Sequence, residues 1–293
     1  MEKSPVYEPA AVSSHNLEVA HSRDYYVVQH NDLVQKQRFS LERNAGSSLT
    51  MLEEKVIAYL ISQIKPGQEA LQPITFDIKA FCEITGLAPG GETHNYTWIK
   101  GILNKLAGRV LWLYDRKEET ETTVRYIDKA KLFKRSGRVE IRLDQDLGPY
   151  LLNLAGNYFQ FSYHNILAMK SKYGIQLYKL LKSYVYSYPR IKFSLDDLKE
   201  HLDAASYANF ANFKKKVLGP ALRDINTYSD LDVTAEYEKT GRAFTHVIFT
   251  MKSLEQPRTL EEKEEKQRRY INAEREINPD QLIIDEYLGG ILL

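Results

Sequence analysis

The 293-residue chain is about twice the ~150 residues of a typical domain, so two globular units are the first expectation. Its 43% hydrophobic and 27% charged residues exclude a fibrous or wholly disordered polymer, and 40 Lys and Arg against 39 Asp and Glu give a net charge of +1, so attraction to an anionic partner must come from how charge is distributed. Cys82 is the single cysteine, which excludes an intrachain disulfide framework and a Cys-rich zinc site; with no export-like N-terminus and no run of about 18 apolar residues, a soluble cytoplasmic protein without membrane contact is expected.

Residues 1–24 mix Pro, Ser, Glu and His without apolar periodicity and carry 2 basic against 4 acidic residues, a flexible lead-in. The first folded unit, 25–155, opens with a capping box of Thr50 and Glu53 before an amphipathic helix with Leu52, Val56, Ile57, Leu60, Ile61 and Ile64 on one face, ended by Pro66-Gly67. Ile74–Asp77 alternates as a short strand and leads into the helical segment IKAFCEITGL. A further helix over Asn95–Leu106 turns Ile99, Ile102, Leu103 and Leu106 inward and Thr97, Lys100, Gly101 and Asn104 outward. A two-stranded segment follows, with its turn at Lys134-Arg135-Ser136-Gly137-Arg138.

The same order recurs in a second unit, 156–253. A helix is expected over Ile166–Tyr186, with Leu177, Tyr178, Leu180, Leu181, Tyr184 and Val185 inward and Pro189 beyond it. Ile191–Ser194 leads into LDDLKEHL, 117 residues after the equivalent step in the first unit; a helix over Tyr207–Asn226 and a turn at Lys239-Thr240-Gly241-Arg242 complete the repeat. Helix, short strand, helix, helix and hairpin make up a winged helix, the helix-turn-helix variant whose hairpin is the wing. The expected fold is therefore α+β, two tandem winged helices followed at 254–293 by a charged helical tail ending in QLIIDEYLGGILL.

Charge is uneven along the chain: residues 165–258 hold 15 Lys and Arg against 10 Asp and Glu, and 259–293 hold 5 against 9. On a wheel at about 100° per residue, Phe210, Phe213, Val217, Leu218, Ala221, Leu222 and Ile225 fill one half of the last long helix, with Asn209, Asn212, Lys215, Lys216, Gly219 and Arg223 on the other. Lys214 falls at the edge of the apolar arc, and Pro220 removes one helical hydrogen bond. Asn pairs with adenine and Lys or Arg with guanine, while Gly219 allows close approach to a groove wall, as a recognition helix requires. A solvated helix face would share this composition; the tandem architecture favours DNA. In the first unit Lys100 and Asn104 suit either backbone contact or plain solvation, while Lys134, Arg135, Arg138, Lys239 and Arg242 at the hairpin tips suit phosphates.

The segments LKSYVYSYPRIKFSLDDLKEHL, NFKKKVLGPALRDIN and EYEKTGRAFTHVIF resemble the second winged helix of RepB-like plasmid replication initiators, and LTMLEEKVIAYLISQI with ITFDIKAFCEITGL extends the resemblance back through the first unit. The resemblance implies binding to repeated double-stranded origin sites (iterons), dimers that repress and monomers that initiate, and contact with a host initiator or helicase. A winged-helix transcriptional regulator with no replication role and a tyrosine nuclease are the alternatives. Catalysis finds little support: there is no GxxxxGK[ST] phosphate loop, the seven His residues form no HExxH, and Asp196-Asp197 sit where a helix N-terminus favours acids. No active site, cofactor or metal is expected.

Overall fold

Strand β1 (Tyr26–His30) pairs antiparallel with β8 (Tyr158–Ser162), so the first described strand meets a partner 128 or more residues later. The computed structural model describes residues 25–38, 48–65, 67–85 and 92–254; expectations for 1–24 and for the tail beyond 254 lie outside these described residues. After β1 come α1 (Asp32–Gln35), β2 (Gln37–Arg38), α2 (Met51–Ser62), β3 (Ile74–Asp77), α3 (Ile78–Thr85), α4 (Glu92–Ala107), β4 (Val110–Asp115), β5 (Thr120–Arg125), β6 (Ile127–Phe133) and β7 (Arg138–Leu143). A short 3-10 turn and α5 (Gly148–Leu151) lead to β8, α6 (His164–Leu167), α7 (Lys172–Lys182), β9 (Arg190–Ser194) and α8 (Leu195–His201). One continuous helix, α9, then runs as Phe210–Phe213 in α form, Lys214–Leu218 in π form and Gly219–Tyr228 in α form, before β10 (Leu231–Thr240) and β11 (Ala243–Ser253).

Two winged helices are present. In each, the short strand bonds to the second strand of the hairpin, giving the orders β3-β7-β6 and β9-β11-β10, with Phe76 opposite Val139 in one and Phe193 opposite Val247 in the other. Period-two burial sends Ile74, Phe76, Val139 and Ile141 into the first core and Phe193, Val247, Phe249 and Met251 into the second. Both wing turns depend on glycine, since Gly137 and Gly241 each hold φ near +64°, where a Cβ is strained. The expected caps are also present: Thr50 Oγ1 accepts from the Glu53 amide while the Glu53 carboxylate accepts from the Thr50 amide, Asp77 accepts from Lys79 and Ala80, and Ser194 accepts from Asp197.

Four features depart from the sequence reading. The helix α2 is not amphipathic: residues Glu53 to Ile61 are all buried, because β1, α4 and α7 pack around it. Its charged groups must therefore be paired, Glu53 with Arg109 at 3.2 Å and Glu54 with Lys179 at 2.6 Å. The helix expected over 166–186 breaks into α6 and α7, since the amides of Lys170 and Ser171 donate to the Asp224 carboxylate instead of continuing a helix. The helix expected over 207–226 starts at Phe210 and runs to Tyr228 through the π turn. Finally, the first unit contains an additional sheet, β2-β4-β5, without counterpart in the second.

Candidate nucleic-acid interface

The helix α9 is anchored by its buried side. Phe213, Val217, Leu218, Ala221 and Ile225 are fully buried, each contributing about 1.5–3 kcal/mol for its larger side chains. The Asn226 amide bonds both the N–H and the C=O of Val233 on β10 (2.7 and 2.8 Å), fixing the helix C-terminal end to the wing. At the other end Phe210 stacks on Phe244 (4.1 Å between centroids, 24°) and meets Tyr237 edge-on at 5.3 Å. These three aromatics join the helix to both strands of the wing. The sequence signal of Tyr237 and Phe244 is only alternation on β10 and β11, which reads as ordinary core, and Phe210 falls on the apolar half of the helix.

With the helix held, Asn212, Lys215 and Lys216 are exposed, and Lys214 is exposed on the side that meets the wing. No acidic residue lies between Ala204 and Arg223, so nothing along this stretch of sequence offsets their charge. A π turn interrupts the regular α-helix at Lys214–Leu218. Pro220 has no N–H, and its ring crowds the carbonyl four residues back; a wider turn relieves this, with the Gly219 N–H donating to the Lys214 carbonyl five residues earlier. A Cβ on Gly219 would lie 3.3 Å from that same carbonyl, so this glycine has a local backbone reason to be there. Lys214, at the edge of the apolar arc, is exposed, its ammonium 4.5 Å from the centre of the Tyr237 ring.

Two other residues of the stripe are placed differently from the sequence reading. Asn209 is the N-cap of α9, its Oδ1 accepting from the amides of Ala211 and Asn212, which leaves that oxygen committed to the helix. Arg223 is half-buried beside Asp224 and Tyr228 rather than fully presented. On the wing, Lys239 and Arg242 are exposed at the tip; the Lys239 ammonium sits 4.5 Å from the Phe244 ring centre, after a bulge that shifts the register at Glu238 and Lys239. Farther down this sheet, the ion pairs Arg190–Glu236 and Lys192–Glu238 reach from β9 to β10 over the intervening β11 and balance the charge of that face.

In the first unit, Thr97, Lys100, Gly101 and Asn104 are exposed while Ile99, Ile102, Leu103 and Leu106 are buried, as the spacing predicts. Lys105 joins the exposed set. The wing presents Lys134, Arg135 and Arg138, and behind the tip Lys131 and Arg138 lie over the Phe133 ring at 4.7 and 5.5 Å. Both wings thus carry a cation-covered aromatic just behind the tip, a recurrence that alignment of the turns alone does not reveal.

The helix α8, which precedes α9, carries a buried histidine. Burial, reinforced by the nearby Arg38 and Arg116 cations and opposed by Asp197, pushes the His201 imidazole down to about 3; the Arg38 guanidinium lies 3.3 Å from its Nδ1, Glu200 is the other nearby acid, and the Phe193 ring packs on it at 6.3 Å. Because the folded value lies below the usual 6.5, its contribution to stability is complete above pH 6.5 and is lost as pH falls toward 3. Between pH 7 and 5 this one group removes about 2 kcal/mol. Denaturant unfolding of the wild type and His201→Gln at both pH values checks it: the variant loses correspondingly less on acidification, and an identical loss in both proteins contradicts the assignment. Among the described residues no three His, Cys, Asp or Glu side chains are grouped so as to hold a metal ion, and no helix is long and apolar enough to cross a membrane.

Comparison with known proteins bears on this surface. Residues 26–182 match the family model described as initiator replication protein, WH1, and 194–251 match that of initiator Rep protein, WH2. A replication initiation protein of Escherichia coli is 28% identical over 119 residues, 39% of this chain, and the aligned part spans 37% of that relative's length. The solved structure of the Pi initiator protein in complex with iteron DNA superposes with a TM-score of 0.64 at 18% identity, covering 80% of this chain and 99% of that one, a likeness of fold.

Proposed function

The chain belongs to the initiator replication protein family, and from that premise we propose that it initiates plasmid replication by binding repeated double-stranded origin sequences along its two winged helices. The observation that carries the reading is the exposed acid-free face of α9, with Asn212, Lys214, Lys215 and Lys216 braced against a wing that ends in Lys239 and Arg242. In this reading the second unit, 156–253, reads bases in the major groove. The first, 25–155, contacts the DNA backbone through Lys100, Asn104, Lys134, Arg135 and Arg138 and supplies the surface for dimerisation. Asn209 orients the helix, and Gly219 and Arg223 line the far end of the same face. The iteron complex of the Pi initiator supports direct repeats as the target. The protein acts by binding rather than catalysis, marking or opening the origin for host replication factors, and a monomer–dimer equilibrium lets the dimer repress its own gene.

Replication itself separates this from simple transcriptional control. Supplied in trans, the protein maintains a DNA circle that carries its flanking repeats and no other origin. A protein that binds those repeats yet never sustains the circle is a regulator, and the proposal fails.

The division of labour has a salt signature. Each phosphate neutralised steepens the dependence of log affinity on log salt by about 0.9, so changing Lys134, Arg135 and Arg138 together to Ala lowers the slope magnitude by roughly two to three. Discrimination between the repeat and a scrambled sequence changes little. Titrations across salt concentrations measure both; an unchanged slope removes the first wing from the interface.

A further inference from the structure

The extra sheet β2-β4-β5 of the first winged helix reaches across to the second. Arg116, in the hairpin between β4 and β5, forms an ion pair with Asp197 on α8. Arg38 on β2 is buried, its Nη1 bonded to the carbonyls of Gln35 and Gln37 at 2.9 and 2.8 Å, and the same guanidinium meets His201 at 3.3 Å and Glu200 at 3.8 Å. Two arginines of the first unit thus clasp three side chains, one turn apart or adjacent, of the helix that precedes α9. Leu195 and Leu198 of α8 and Leu202 just after it are buried, α8 packs on β9 and β11, and the Lys199 ammonium lies 5.6 Å from the centre of the Phe213 ring of α9, so α8 belongs to the second winged helix. Elsewhere along this junction β1 pairs with β8, Lys179 meets Glu54 at 2.6 Å, Gln35 Nε2 bonds Ser183 Oγ at 3.1 Å and Lys172 bonds Ser48 at 2.9 Å; of these contacts, only the clasp reaches α8.

We propose that the clasp of Arg38 and Arg116 on Asp197, Glu200 and His201 sets the spacing at which the two winged helices engage DNA, making these five positioning residues that determine site specificity without touching the duplex. The inference rests on the DNA-binding reading above. A rigid connection between two binding surfaces rewards one separation on the helical DNA, whereas a loose one accepts many, because the second contact then forms from a broad range of orientations. Sequence that neither unit reads becomes specified in length. The extra sheet, absent from the second unit, is thereby given a role that the winged-helix fold alone does not require.

Two measurements on the full chain test this. In the first, the repeat is lengthened by two base pairs, about a fifth of a helical turn, between the stretches covered by the two units. The wild type loses about tenfold or more in affinity for the lengthened site. Arg38→Ala with Arg116→Glu binds the original and lengthened sites within about threefold of each other, and Arg116→Asp with Asp197→Arg, which re-forms the pair in reverse, regains the discrimination. If the clasp-breaking variant keeps the wild-type spacing preference, or if the wild type binds both sites equally, the proposal is overturned.

The second measurement needs no DNA, so it stands even if the DNA reading fails. Spin labels at S136C and T240C, one on each wing tip, report the distance between the tips, Cys82 being buried. A narrow distribution in the otherwise unaltered chain that broadens when the clasp is broken, and narrows again in the charge-swapped chain, supports it. A distribution unchanged by Arg116→Glu with Arg38→Ala shows that the clasp does not hold the wings. Unfolding midpoints of each variant distinguish a freed junction, with the transition retained, from a lost fold.

Discussion

Changing Lys215 and Lys216 together to Ala weakens binding to the repeated site by about 100-fold or more while the unfolding transition stays in place. Both side chains are exposed, and both lie on the face of α9 opposite Phe213, Val217 and Ala221, so their removal empties no cavity. A good base or charge-assisted phosphate contact is worth about 1–3 kcal/mol, and two such losses multiply to two orders of magnitude. Lys214 serves as the internal contrast. Its ammonium rests over the Tyr237 ring, so Lys214→Ala removes an element of the brace between helix and wing more than a free donor, and its effect on affinity is smaller. Equilibrium titration at one fixed salt concentration, with the repeat and a scrambled duplex, reads both variants. Equal affinity of the double variant and the wild type removes α9 from the interface.

Replacing Asp224 with Ala costs about 3 kcal/mol of stability, the largest effect expected of a single polar residue here. The Asp224 carboxylate accepts from the amides of Ser171 (2.7 Å) and Lys170 (2.9 Å), closing the N-terminal end of α7 where Ser171 provides no side-chain cap. It also lies so close to Gly174 that a Cβ there would sit 2.8 Å from the carboxylate, so the two helices meet at van der Waals limits. Burial raises the Asp224 carboxyl to about 6 and lowers the Lys55 amine to about 8, each partly offset by the other's opposite charge. Truncation orphans two amides and leaves the buried Lys55 without that carboxylate. Asp224→Asn retains an acceptor for the amides and loses less. Denaturant unfolding checks the order: Ala is more destabilising than Asn, and Lys55→Met in the Asp224→Asn background recovers part of the loss, since a buried charge is removed along with its partner. If Ala and Asn are equally mild, the capping role is wrong.

The parts of the fold that sequence discloses are those governed by local periodicity and turn chemistry. The inward set of α4, the caps at Thr50, Asp77 and Ser194, and the two wing glycines each follow from a rule that operates within a few residues. What sequence conceals is decided by distant partners. Glu53, Glu54 and Lys55 look like a solvated helix face, yet the convergence of β1, α4 and α7 on α2 buries all three. The β2-β4-β5 sheet is hard to foresee because β2 is two residues long and pairs with a strand more than 70 residues later.

At the candidate site the exposed lysines were legible, but their arrangement was not. A wheel with uniform steps assumes an unbroken α-helix, whereas a π turn runs from Lys214 to Leu218; Lys214 itself reaches solvent beside the Tyr237 ring, as a long side chain at the edge of an apolar arc does. Asn209 has the right chemistry for a base contact and equally for an N-cap; the helix begins one residue later, so its Oδ1 caps the helix while the residue stays exposed. The clasp between Arg38, Arg116 and α8 joins residues about 80 to 160 positions apart, and Asp197 keeps its place in the first helical turn while gaining a partner no local pattern can supply.

Hydroxyl-radical footprinting of the full chain on the DNA flanking its gene tests the central claim most directly. Two winged helices binding repeated sites predict a series of protected direct repeats of constant spacing, each approached from one face of the duplex, with the protection erased by Lys215→Ala and Lys216→Ala together. A single palindromic operator, or protection that follows no repeat and survives that double change, contradicts it.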